Sequence, residues 1–224
     1  MDVTMLSVLA LGFILGIRHA LEPDHMIAVS TIASQSKKLW QASLAGVFWG
    51  IGHTATLFVV GIILILMKND ISEKWSLTLE FFVGIMLVYL GIAAMLSIRK
   101  KQKHQPHHHA HEELPPGRRK VTYYKSLIIG FVHGIAGSGA MVLLTMSTVQ
   151  SVWQGALYIL IFGVGTVAGM LIFTTIIGIP FILSMKRMIT SKALILTTGA
   201  LSTIFGFYYM YNLGVNDGLF SLWL

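Results

Sequence analysis

Four stretches of this chain contain no Asp, Glu, Lys or Arg: Gln41–Met67, Phe81–Ile98, Ser126–Met185 and Ala193–Asn216. A run of about 18 or more such residues is long enough to cross the hydrocarbon core of a bilayer as a helix. Soluble domains carry about 25% charged residues, whereas charged residues are 11% here and hydrophobic ones 55%. A water-soluble fold is excluded. The composition predicts an all-α polytopic protein of the cell membrane, with the lipid bilayer as its surroundings.

The apolar stretches run roughly over 3–34, 41–67, 76–98, 126–149, 154–184 and 193–213, which predicts six spans. The start, Met1-Asp2-Val3, has no basic region before its apolar run, so it reads as a first span rather than a cleaved signal. The formal net charge of +7 reports orientation, not nucleic acid, because the Lys and Arg sit in the loops. With the N-terminus outside, the inside loops collect Lys37, Lys38, Lys186, Arg187, Lys192 and eight basic residues between Arg99 and Lys125. Only Lys68 and Lys74 remain outside. Both termini are thus expected outside and the 99–125 loop in the cytoplasm.

That loop divides the chain into residues 1–98 and 126–224, and the two parts resemble each other. Leu39-Trp-Gln-Ala-Ser-Leu44 answers Val152-Trp-Gln-Gly-Ala-Leu157 at an offset of 113, as Gly50 and Gly52 answer Gly163 and Gly165. Gly16-Ile-Arg-His19 answers Gly130-Phe-Val-His133 at 114, and Gly84 and Gly91 answer Gly199 and Gly206 at 115. The pattern predicts two three-helix repeats, inverted because each holds an odd number of spans. Pairs such as Gly12/Gly16 and Gly165/Gly169 suit close helix packing.

Ionisable residues inside a span are costly and usually functional. The first span concentrates five of them in Arg18-His-Ala-Leu-Glu-Pro-Asp-His25. Two imidazoles and a carboxylate suit a divalent first-row ion. On an unbroken helix His19, Asp24 and His25 would face different directions. Pro23 clashes with the carbonyl of His19 and drives Glu22 out of the helical region, so the helix should break there and let the three converge. The competing reading is a plain ion pair of Arg18 with Glu22 or Asp24.

His53 and His133 lie mid-span, on the ion path or merely hydrogen-bonded to a neighbouring helix. The repeat aligns His19 with His133, but Asp24, His25 and His53 with Ser138, Gly139 and Thr166. One asymmetric site, built mainly by the first half, is expected. His104, His107, His108, His109 and His111 form a tract in the basic loop that would buffer metal loosely. Absent Cys excludes disulfides, thiolate metal sites and thiol redox relays.

Arg18-His-Ala-Leu-Glu-Pro-Asp-His25 resembles the nickel/cobalt transporter (NiCoT) family, whose hallmark is a His, four residues, then Asp-His. Phe48-Trp-Gly-Ile-Gly-His-Thr54 is similar to its second signature, which carries over onto His53 and Thr54. Gly134-Ile-Ala-Gly-Ser-Gly139, after His133, is more similar to the short, urease-accessory (UreH-type) branch. The resemblance implies a secondary permease taking Ni²⁺, and Co²⁺ with it, into the cytoplasm as transported substrate, with no prosthetic group and no enzymatic activity. It implies His19, Asp24 and His25 as ligands, with His53 and His133 next on the path and Arg18, Glu22 and Thr54 in support. The metal would go to urease or hydrogenase assembly, with a cytosolic metallochaperone as partner; a homo-oligomer is compatible with it. The rivals are efflux of the same metals, an intramembrane metalloenzyme with Glu22 as base, and a structural membrane subunit.

Overall fold

The computed structural model describes residues 3–67, 72–103, 123–136, 151–185 and 187–224. Its helices are α1 (Val3–His19), α2 (Pro23–Ala33), α3 (Leu39–Met67), α4 (Glu73–Lys103), α5 (123–136), α6 (Val152–Ser184), α7 (Met188–Tyr211) and α8 (Leu219–Trp223). A π-helical turn, Asn212–Asn216, extends α7. No strand occurs among the described residues.

Leu39–Met67, Glu73–Ile98, Val152–Ser184 and Ile189–Asn216 are each long and apolar enough to cross a membrane. Large apolar side chains such as Ile14, Val59, Ile204 and Phe207 are exposed along the helices, as a lipid-facing surface requires. The protein is multi-pass. Met5–His19 and Pro23–Ala33 pass the same test as a pair bent by 57°, which gives up to five candidate spans among the described residues. The sixth stretch expected from the sequence, 126–149, begins in α5 and otherwise lies outside the described residues. The histidine tract of His104, His107, His108, His109 and His111 lies outside them as well.

The break between α1 and α2 has the cause the sequence predicts. Pro23 has no N–H to give the His19 carbonyl, and that carbonyl accepts instead from Glu22 N at 3.0 Å. Leu21 N likewise donates to Arg18 O at 2.9 Å, so α1 tightens and ends. Glu22 is extended, with φ −64° and ψ 145°, and Pro23 opens α2 at a position that needs no donor.

Small residues set the packing. The backbone of Gly16 in α1 abuts the Phe162 carbonyl of α6, and Gly130 in α5 abuts the Trp49 carbonyl of α3. Gly165 meets the Phe13 carbonyl, and Gly52 that of Leu127. Each second contact follows from the first by the sequence offsets of 113 and 114. On the α4–α7 seam Gly84 faces Gly206 and Gly91 faces Gly199. A Cβ at any of these positions would force the helices apart. The short α2 lies among α3, α4, α6 and α7 and touches all four. Trp49, Ala20, Val29 and Met170 form the core beside it.

Candidate metal centre

Four helices deliver the polar side chains. His19 ends α1, Asp24 and His25 occupy the first turn of α2, His53 sits mid-α3, and His133 comes from α5. The 57° bend brings the His19 and His25 rings to 4.4 Å between centroids. The Gly130–Trp49 and Gly134–His53 approaches press α5 against α3 and bring His133 to 4.2 Å from His25. The five residues expected as ligands from the sequence therefore meet in one cluster.

Their contacts are short and mostly buried. His19 Nε2 lies 3.0 Å from His53 Nε2, so one ring's N–H donates to the lone pair of the other. Asp24 accepts at both oxygens, from His25 Nδ1 at 3.0 Å and from His133 Nε2 at 2.8 Å. His25, His53 and His133 are all buried. Three of their ring nitrogens, His25 Nε2, His53 Nδ1 and His133 Nδ1, are buried with no hydrogen-bond partner. Buried polar atoms are almost always satisfied, so each such orphan calls for an explanation. Donor atoms of His19, His25 and His53 lie within 4.8 Å of one another, as do those of Asp24, His25 and His133, and both sets could hold a metal ion.

Supporting residues divide. Glu22 accepts from His19 Nδ1 at 2.9 Å and is half exposed. Arg18 is exposed, and both carboxylates of this segment face imidazoles instead of its guanidinium. The plain Arg18 ion pair therefore does not account for the segment. Thr54 points away from the cluster and donates to the Gly163 carbonyl of α6 at 3.3 Å.

Two residues escaped the sequence reading. Trp49 is fully buried and stacks on His53 at 5.1 Å and 8°, with the edges of His25 at 4.8 Å and His133 at 5.1 Å against it. Its place four residues before His53, on the same helical face, was the available signal. Glu80, a carboxylate within the α4 span, accepts from Tyr209 at 3.3 Å and Ser76 at 3.4 Å. A carboxylate in an apolar span is itself a signal.

Fold and site together define a class: a polytopic helical membrane protein with an intramembrane histidine–carboxylate centre. Comparison with known proteins narrows it. The family model described as the cytochrome C biogenesis protein transmembrane region matches residues 25–208. The urease accessory protein UreH of Bacillus sp. (strain TB-90) is 61% identical over 100% of this chain and 99% of its own length. This chain therefore belongs to the UreH family, within that broader transmembrane family, as its motifs imply. A Methanocaldococcus jannaschii protein whose name marks it as a candidate nickel/cobalt efflux system is 28% identical over 69% of this chain and 68% of its own. The chloroplast protein FOR GROWTH AND FERTILITY 1 of Arabidopsis thaliana is 27% identical over 75% of this chain, which spans 48% of that relative. No solved structure matches the chain.

Proposed function

We infer that this protein is a secondary-active permease that carries Ni²⁺, and Co²⁺ with it, into the cytoplasm. The observation that carries the reading is the set of three buried, unpartnered imidazole nitrogens inside a cluster of four histidines and an aspartate. Neutral imidazoles supply donors without stacking negative charge in the membrane, and they suit nickel and cobalt. Two ~2.1 Å metal–nitrogen bonds at a right angle put their nitrogens about 3.0 Å apart, and His19 Nε2 and His53 Nε2 are separated by 3.0 Å. His19, Asp24, His25, His53 and His133 are the ligands of the transported ion, which is cargo and not a resident cofactor. Glu22 lines the approach to His19, and Trp49 walls the site. The names of the relatives, a urease accessory protein and a nickel/cobalt system, support the choice of metal.

The permease works as two inverted three-helix repeats, 1–98 and 126–224, joined by a cytoplasmic loop, 99–125, with both termini outside. The recurrence of glycine contacts at the repeat offsets supports this arrangement. At 100 mV the membrane potential favours entry of a dication by about 4.6 kcal/mol. The histidines of the loop receive the ion and pass it to a metallochaperone of urease or hydrogenase assembly.

Export of the same ions is the second reading, favoured by the name of the archaeal relative. One experiment separates the two. Cell-associated nickel and cobalt are measured by mass spectrometry in cells expressing the protein, its His19→Ala variant at matched membrane level, or empty vector. Metal above vector that the variant abolishes supports uptake; metal below vector, again variant-sensitive, supports export. No difference between the wild type and vector sinks both.

A further inference from the structure

The five donors do not form one shell. They fall into two triads, His19–His25–His53 and Asp24–His25–His133, which share His25. Two donors on a single first-row ion lie at most about 4.2 Å apart, twice the metal–nitrogen bond length. Donors divided into two sets in this way ask for two positions of the ion.

The placement of protons ranks the two. An ionised carboxylate only accepts, so the nitrogens facing Asp24, His25 Nδ1 and His133 Nε2, carry the hydrogens. In neutral rings the lone pairs then sit on His25 Nε2 and His133 Nδ1, both buried and unpartnered. A carboxylate that fixes the tautomer of a metal-binding imidazole from outside the coordination shell is a recurrent arrangement. Both oxygens of Asp24 are thus covered by N–H groups. At the other triad the His19 and His53 nitrogens already face each other at 3.0 Å. Access points the same way. The His19 side chain is 15% exposed beside Glu22 at 51%, whereas those of His25 and His133 are 2% exposed.

Resting on the permease reading above, we propose that the centre is two stations sharing His25 and filled in order. The ion enters past Glu22 into an all-imidazole station of His19, His25 and His53. It then moves to a station of Asp24, His25 and His133. Asp24 is a positioning residue for the first station and a ligand only at the second. Transfer opens both hydrogen bonds to Asp24 and turns each ring so that a lone-pair nitrogen faces the ion. His25 is the pivot, a ligand before and after the step.

The test uses the purified full chain in detergent with one equivalent of Co²⁺ or Ni²⁺. Ligand type and number are read by X-ray absorption, and affinity by equilibrium dialysis. The wild type should show three imidazoles and no carboxylate. Asp24→Asn, whose amide oxygen can accept from one ring while its NH2 faces the other, should keep that ligand set, with affinity lower by about tenfold as for an orienting partner, while uptake in cells stops. His53→Gln should shift the ion to the second station, with a carboxylate oxygen entering the spectrum. A carboxylate in the wild-type shell, or equal loss of metal in Asp24→Asn and His53→Gln, would mean a single site and overturn the ordered stations. The wild-type ligand set decides this even where a variant fails to fold. Monodisperse wild-type protein that binds neither metal would instead overturn the permease reading beneath it.

Discussion

His53 in the first half and Thr166 in the second stand 113 residues apart, at the repeat offset. Both are fully buried. The Gly134 backbone of α5 presses on His53, whereas Thr166 lies beside the Gly16 backbone of α1, which corresponds in sequence to Gly130 and not to Gly134. Thr166 settles its polar group at home, donating to the Phe162 carbonyl one turn back at 3.1 Å. His53 cannot do so; one nitrogen meets His19 and the other is left without a partner. A polar side chain satisfied within its own helix can stay buried at little cost, while an orphaned one calls for an explanation. Two equally buried positions at the repeat offset thus differ: one is satisfied within its own helix and the other is not.

The comparison can be broken or sharpened by experiment. The largest effect is expected for His25→Ala, which removes the residue common to both triads. Metal uptake should fall to the vector level and equilibrium affinity by more than the roughly 100-fold upper bound for orienting residues. Next come Gly16→Leu and Gly130→Leu. Each drives a side chain into a facing carbonyl, and each should cost about 3 kcal/mol or more, at the upper end for overpacking. Similar losses of thermal stability would support equivalent roles for the two glycines, while a tolerated Gly130→Leu would break the correspondence. Glu80→Gln keeps an acceptor for Tyr209 but removes the carboxylate of the α4 span. Uptake at trace metal should drop by about tenfold at low ionic strength, and the gap from the wild type should narrow as salt is added. Smallest is Thr166→Val, which should change stability by about 1 kcal/mol or less and leave uptake intact. If Thr166→Val abolishes uptake, Thr166 is not the inert position described here.

Much of the centre was readable in the chain because its chemistry is concentrated against an apolar background. Five polar residues in eight positions stand out from Arg18 to His25, and Pro23 dictates a break at that place. His53 and His133 stood out for the same reason. The pairings were not readable. Which helix turns His133 toward Asp24, and which turns His19 toward His53, depends on the rotation of α5 and α1 about their axes, and that is fixed by contacts with α3 and α6 far away in sequence. Arg18 looked like part of the site because it is adjacent in sequence, yet the last turn of α1 aims it outward. Trp49 was not singled out, since a Trp four residues before His53 does not by itself say that three imidazoles will gather around it. Apolar run length marked the four spans at Leu39–Met67, Glu73–Ile98, Val152–Ser184 and Ile189–Asn216, and Pro23 marked where the first stretch divides into α1 and α2.

The brevity of α2 has a mechanical consequence. Its 11 residues make an arm roughly 16 Å long at 1.5 Å per residue, hinged at Glu22 and free of any hydrogen bond from Pro23 to α1. Asp24 and His25 sit beside the hinge, and Ala33 lies at the tip. A swing of about 10° would carry the tip by about 3 Å along that arm while moving the two residues at its root by a small fraction of this. A slight rearrangement around an ion would therefore emerge, magnified, where the chain passes from α2 into α3. The bent segment would then act as a lever with its short end in the candidate metal centre.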